Sequence, residues 1–150
     1  MNISRLWLLV VFVCACVLCG CGTVRELPIE QRKGEPDTKE YRISRELLIG
    51  FMNDDAKTFL KHLTPENRRS FDAEKFKKTR TEMSKTLGTP VSFTYVTELE
   101  FVTFKLYVWK VRFKRVSKEK KEPIFSEALF RVITGRSSRN EVLVMGFNFL

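Results

Sequence analysis

The most reactive side chains in the chain are its thiols, and all four, Cys14, Cys16, Cys19 and Cys21, fall within the first 21 residues. From Gly22 onward there is no cysteine nucleophile, no CxxC redox pair, no thiolate metal site and no disulfide. Carboxylate chemistry has few places to sit. Asp37, Asp54, Asp55 and Asp72 all occupy predicted tether or helix-start positions, where capping is their ordinary work. Glu127 is the acid of the third predicted strand, sharing a face with Phe125, Leu129, Arg131 and Ile133, and it enters the interior with Arg131 as partner if that face turns inward. The other alternation, with Ile124, Ala128, Phe130 and Val132 toward the core, is the one that ordinary burial favours. His62, the sole histidine, lies near a helix end, where interaction with the helix dipole accounts for it. HExxH, GxSxG, P-loop and GxGxxG patterns are absent, and the sequence assigns no catalytic residue, no metal site and no cofactor.

Cys21 stands apart because of what precedes it. Asn2 to Arg5 is a short polar start with one positive charge, and Leu6 to Leu18 is an unbroken apolar run of 13 residues. That is shorter than the roughly 20 residues a spanning helix needs and fits the 7–15 residue core of a removable export segment. Leu18-Cys19-Gly20-Cys21 resembles the bacterial lipobox, whose cysteine is acylated and becomes the first residue of the mature protein; Cys19 lacks a small residue just before it, whereas Gly20 precedes Cys21. The resemblance implies a signal peptide over 1–20, fatty acid on Cys21 and a membrane held through covalent lipid, so that the domain needs no membrane-binding surface of its own. With Gly22 in place of the aspartate that retains lipoproteins in the inner membrane, the implied address is the bacterial cell envelope, at the outer membrane facing the periplasm.

Residues 21–37 read as the lipidated cysteine and a tether, because Val24, Leu27 and Ile29 have no period and Pro28, Gly34 and Pro36 interrupt any element. Fully extended, this stretch reaches on the order of 50 Å. Residues 38–150 suit one small domain without internal repeats. Its first half is helical: Ile43, Leu47, Leu48, Phe51 and Met52 form one stripe, Asn53-Asp54-Asp55 breaks it, Phe59, Leu60 and Leu63 mark a short helix, and Thr64-Pro65-Glu66 starts another. A long helix from about Ala73 carries Phe76, Met83 and Leu87 and stops at Gly88.

The period then becomes two. Val91, Phe93, Tyr95, Leu99 and Phe101 are expected on one face of a first strand, and Tyr107, Trp109, Val111 and Phe113 alternate with Lys110, Arg112 and Lys114 in a second. Ile124 to Thr134 gives a third, and Val142 to Leu150 a fourth with Leu143, Met145, Phe147 and Phe149 on one face. Helices first and strands second predict an α+β fold, N-terminal helices packed on a curved antiparallel four-stranded sheet.

The segments "LLIGFMNDDAKTFLKHL", "TPENRRSF", "LGTPVSF", "YVWKVRF" and "VLVMGFNFL" resemble small exported members of the nuclear transport factor 2-like superfamily, with Asn53-Asp54 where the shared pattern has Gly-Asp. The resemblance implies a cone, with helices against the concave face of a bent sheet, and implies no single activity. The isomerase branch of that fold works with an aspartate base and a tyrosine donor inside the cone.

Two sets of residues are candidates for binding. Tyr95, Tyr107, Trp109 and Phe113, joined by Glu127 in the first alternation above, would line a concave pocket if the sheet's own side chains leave a void. Lys110, Arg112 and Lys114 share the opposite strand face as a basic contact patch, on a chain of net charge +9 of which residues 1–20 carry only Arg5. The partners expected of it are anionic head groups, an acidic envelope polymer or an envelope protein; an exported protein does not meet nucleic acid. The function expected is therefore a non-catalytic binding or accessory module, with small apolar ligand binding as the alternative and isomerase-like catalysis last. Replacing Cys21 by alanine should abolish incorporation of labelled fatty acid and leave the precursor uncleaved; persistent labelling of Cys21→Ala would move the attachment to Cys19.

Overall fold

A computed structural model describes residues 34–117 and 121–150. Cys21, the export segment and most of the tether lie outside the described residues. Four helices come first: α1 (Lys39–Met52), α2 (Ala56–Leu60), α3 (Pro65–Ser70) and α4 (Ala73–Thr86). Each begins at a side-chain cap that satisfies an orphan N–H of its first turn: Thr38, Asp55, Thr64 and Asp72 accept from Tyr41, Thr58, Asn67 and Lys75 at 3.1, 3.1, 3.2 and 2.9 Å. Asp54 serves the other end, adopting φ +57° just past α1, the left-handed turn that stops a helix. Gly50 lets α2 approach, since a Cβ there would sit 2.5 Å from the Phe59 backbone nitrogen.

The second half is a meander of β1 (Thr89–Glu100), β2 (Phe104–Val116), β3 (Pro123–Arg136) and β4 (Val142–Phe149), antiparallel throughout in the order β1-β2-β3-β4. The chain is α+β, with its helices on the concave face of one curved sheet. Bulges contribute to the bend: Val91 and Val96 are extra residues in β1, and Met145 is extra in β4. The segment from His62 to Asn67 docks along β4 through Val144 N to the His62 carbonyl at 2.7 Å and Asn67 Nδ2 to the Met145 carbonyl at 2.9 Å. It blunts that sheet edge.

The bulges also rewrite which face each side chain takes. A single-residue insertion flips the alternation. Beyond Val96, Glu98 stands opposite Tyr107 on the concave side, while Leu99 and Phe101, expected with Phe93 and Tyr95, are turned out and half exposed. Around Met145 the same happens: Val142 and Val144 are buried before the bulge, Phe147 and Phe149 pack on the core after it, and Met145 is exposed over Gly135. The expected single face of Leu143, Met145, Phe147 and Phe149 is thus split.

The core lies between α1 and the sheet. Leu47, Leu48 and Phe51 of α1 meet Tyr107, Trp109, Val111, Phe113, Phe130 and Val132, and Phe59 and Phe76 close the far side. At its centre Trp109, 1% exposed, donates its indole N–H to the fully buried Ser44 hydroxyl at 2.9 Å. Trp109→Ala should therefore cost roughly 3–5 kcal/mol in denaturant unfolding, as a large core truncation does, whereas Ser44→Ala, which leaves the buried indole N–H unpaired, should cost about 1–3 kcal/mol. A Trp109→Ala loss below about 1 kcal/mol would place the ring outside the core.

Candidate functional site

Of the residues expected to line a pocket, Tyr95, Tyr107, Trp109 and Phe113 all lie on the concave face, and they fill it. All three tyrosines of the chain meet there. Tyr41 of α1 contacts Tyr95, Tyr107 and Trp109 with ring centroids 5.5, 6.0 and 5.3 Å apart, and Phe93 and Tyr95 pack edge-on to the indole at 5.7 and 5.4 Å. Phe113, fully buried, meets Phe149 across the sheet at 6.2 Å. Rings at these separations leave contact, not ligand space, between them.

Glu127 is elsewhere. It is exposed on the outer face of the sheet, with Lys110 Nζ 3.4 Å from its carboxylate. Phe130, Val132 and Thr134, of opposite parity, are the fully buried side chains of β3. The reason is packing: Phe130 stands beside Trp109 across the ladder and Phe51 of α1 stacks on its ring at 6.1 Å, so this parity turns inward and leaves Glu127 outside.

The strand acid that does turn inward is Glu98, which simple alternation places outside and which only the Val96 bulge brings in. One of its carboxylate oxygens is buried, next to the Tyr107 phenol. Tyr107 shares a 3.3 Å hydrogen bond with the Thr38 hydroxyl, and Tyr41 donates to Glu35 at 2.5 Å. A carboxylate beside a phenol is the pairing that proton-transfer chemistry needs. Here Tyr107 is fully buried and presents no face to a substrate. The neighbouring cleft, about 640 Å³, is walled instead by Thr38, Glu40, Glu100, Lys105, Thr134 and Arg136 and by the turn between β1 and β2. Its charges are spent on each other: Arg136 Nη2 lies 2.6 Å from Glu40 and Lys105 Nζ 3.2 Å from Glu100.

The basic patch is on the bare outer face. Cross-strand register sets Lys110 beside Thr94 and Leu129, Arg112 beside Ser92 and Glu127, and Lys114 beside Phe125. Arg112 lies over the Phe125 ring, 4.1 Å from its centroid, which fixes the guanidinium plane without neutralising it. Lys114 continues with Arg115 and Val116 into an open cleft of about 580 Å³ completed by Ser84, Gly88 and Thr89. A Cβ at Gly88, φ +101°, would strike the Lys114 carbonyl at 2.4 Å, so the end of α4 is pressed against this end of β2.

Two further polar sites lie away from both faces. Glu46 accepts from Lys61 at 2.6 Å and bonds His62 at 2.8 Å; burial alone would raise its pKa, but these two partners win and hold the carboxyl below the usual range. Arg80 of α4 is buried over Phe51, 4.6 Å from the ring centroid, and 3.7 Å from Asp54, with burial lowering its pKa. Among the described residues no cluster of histidine, cysteine and acid side chains is arranged to hold a metal.

Comparison with known proteins finds structural likeness only. The chain is similar to the solution structure of a SEC-C motif containing protein from Rhodopseudomonas palustris, with a TM-score of 0.48 and 13% identity over 71% of this chain and 78% of that one. It is also similar to a crystal structure described as an NTF2-like transpeptidase from Campylobacter jejuni, with a TM-score of 0.46 and 12% identity over 73% of this chain and 99% of that one. No family model and no curated protein matches the chain.

Burial raises the pKa of all three tyrosines, those of Tyr95 and Tyr107 to about 12, with Glu35 adding to the effect at Tyr41 and Glu98 at Tyr95. Phenols that ionise less readily folded than unfolded contribute stability that is fully present below their unfolded value of about 10 and lost as pH rises toward 12. In a spectrophotometric titration the folded protein should show little phenolate until it nears that upper value, with denaturant stability falling across the same window. Phenolate appearing near pH 10 with the fold intact would mean that the tyrosines are solvated.

Proposed function

We propose that this protein is a lipid-anchored component of the bacterial envelope, NTF2-like in architecture, that acts without catalysis as a binding or accessory module for an acidic envelope component. The observation that carries this reading is the contrast between the two faces of the sheet. The concave face is occupied by Tyr41, Tyr95, Tyr107, Trp109 and Phe113, while the outer face is uncovered by helices and presents Lys110, Arg112 and Lys114 in one file along β2.

Physical chemistry favours an anionic partner there. Alternate residues of a strand stand about 6.6 Å apart, so Arg112 and Lys114, with Lys110 shared between Glu127 and the ligand, meet a repeating anion at several points, each contact weak alone and additive together. Phe125 and Leu129, both exposed beside them, supply apolar contact. An apolar ligand on the concave side would have to displace the Trp109–Ser44 hydrogen bond and its ring neighbours, which weighs against the small-ligand reading. Isomerase chemistry would need Tyr107 and Glu98 opened to a substrate.

Replacing Lys110, Arg112 and Lys114 together by glutamine should leave the fold intact, each exposed change costing within about 0.5 kcal/mol. Retention of the protein on an immobilised polyanion should fall sharply and lose most of its salt dependence, because exposed charges are screened over about 8 Å at physiological salt. Unchanged, salt-sensitive retention of the triple variant would reject the patch.

A further inference from the structure

The turn joining β1 to β2 is not made of turn residues. The Phe101 N–H donates to the Phe104 carbonyl at 2.9 Å, leaving Val102 and Thr103 as the loop. Loops of that length favour Asn, Asp or Gly at positive φ, yet neither residue is among those with positive φ, and Val102 is fully exposed at 104%. A β-branched apolar side chain at the apex does nothing for the turn and is poorly placed in water. Phe101 and Leu99, 47% and 49% exposed, extend the same apolar surface, and the Phe101 ring is stacked on Phe104 with centroids 4.4 Å apart, so the tip is held in shape. Behind it the charges are paired, Glu100 with Lys105 and Glu40 with Arg136. Such a rim can approach a medium of low dielectric without a lone charge being stripped of water.

The end of the molecule matters as much as the surface. The start of α1, from which the chain runs back toward Cys21, sits at this same end: Thr38 bonds Tyr107, on β2 next to the tip, and with Glu40 lines the cleft of which the tip is a wall. A tether that joins the domain on this side lets Phe101 and Val102 meet a membrane that holds Cys21. We propose that the β1–β2 tip is a wedge that enters the interfacial layer of the lipid bilayer, a reading that rests on lipid attachment at Cys21. Apolar side chains enter that layer by burying surface, so the contact is insensitive to salt and to anionic lipid, unlike the basic patch. It also orients the domain. At about 3.3 Å per residue along β2, Lys114 stands roughly 30 Å from the tip and faces away from the bilayer.

The test uses the mature lipidated protein, in which acylation leaves an introduced thiol as the reactive one. Val102→Cys and Glu122→Cys, at opposite ends of the sheet, are labelled with an environment-sensitive fluorophore and reconstituted into phosphatidylcholine vesicles containing nitroxide-labelled lipid, with and without phosphatidylglycerol. The label at position 102 should shift to shorter wavelength and be quenched by the nitroxide equally in both vesicle types and at high salt. The label at position 122 should do neither. Equal, water-like emission from both positions would overturn the wedge. Fatty-acid labelling of the same samples separates the two readings: if Cys21 takes no lipid, the anchor reading fails alone, and the wedge is judged with all four natural cysteines replaced by alanine. In that background the label at position 102 must still be quenched at high lipid concentration, or the wedge fails as well.

Discussion

The hydrogen bond from the Trp109 indole to Ser44, set inside a cluster of aromatic rings, is the contact on which the arrangement of this molecule depends. It joins the middle of α1 to the middle of β2 at the point where both are fully buried, and it satisfies two polar groups that would otherwise each cost about 1–3 kcal/mol unpaired. With α1 pinned there, Tyr41 is carried onto Tyr95 and Tyr107, and Phe51 onto Phe130 and Phe149. The cone is closed by its own side chains. Residues 22–150 contain no cysteine, so this packing, and no covalent staple, holds the domain together.

Once the concave face is spent on stability, interaction falls to what is left outside. The sheet presents one unshielded face whose two ends differ in character. Toward the β1–β2 tip it is apolar at Leu99, Phe101 and Val102, with neighbouring charges paired; toward Lys114 it is cationic, with Phe125 exposed beside the lysine. The same strand, β2, thus links an end suited to a lipid interface with an end suited to an acidic partner. The division needs no moving part.

Helix positions were legible in the sequence because their signals are local: caps at Asp55, Thr64 and Asp72, the break at Asn53-Asp54-Asp55 and the stop at Gly88 all work within one turn of chain. The four strands and the common parity of Phe93, Tyr95, Tyr107, Trp109 and Phe113 were legible too, since a period of two survives wherever the ladder is regular. What alternation could not show was the bulges. Val91, Val96 and Met145 look like any other strand residue, and their status as extra residues is decided by the partner strand. From Val96 onward that hid the inward turn of Glu98 and the outward turn of Leu99 and Phe101, and with the latter the tip itself. The Glu127 question was open for a related reason: β3 has apolar residues on both parities, and only the demand of Phe51 and Trp109 for Phe130 and Val132 settles it.

The division of labour between the two sheet faces is tested most directly by following backbone and side-chain amide signals of the isotopically labelled protein while an acidic polymer is added. Lys110, Arg112 and Lys114 should shift progressively while the Trp109 indole N–H stays fixed and protected from solvent exchange. Movement or loss of protection at the Trp109 indole, with the β2 cations unmoved, would show that ligands enter the cone and would contradict that division.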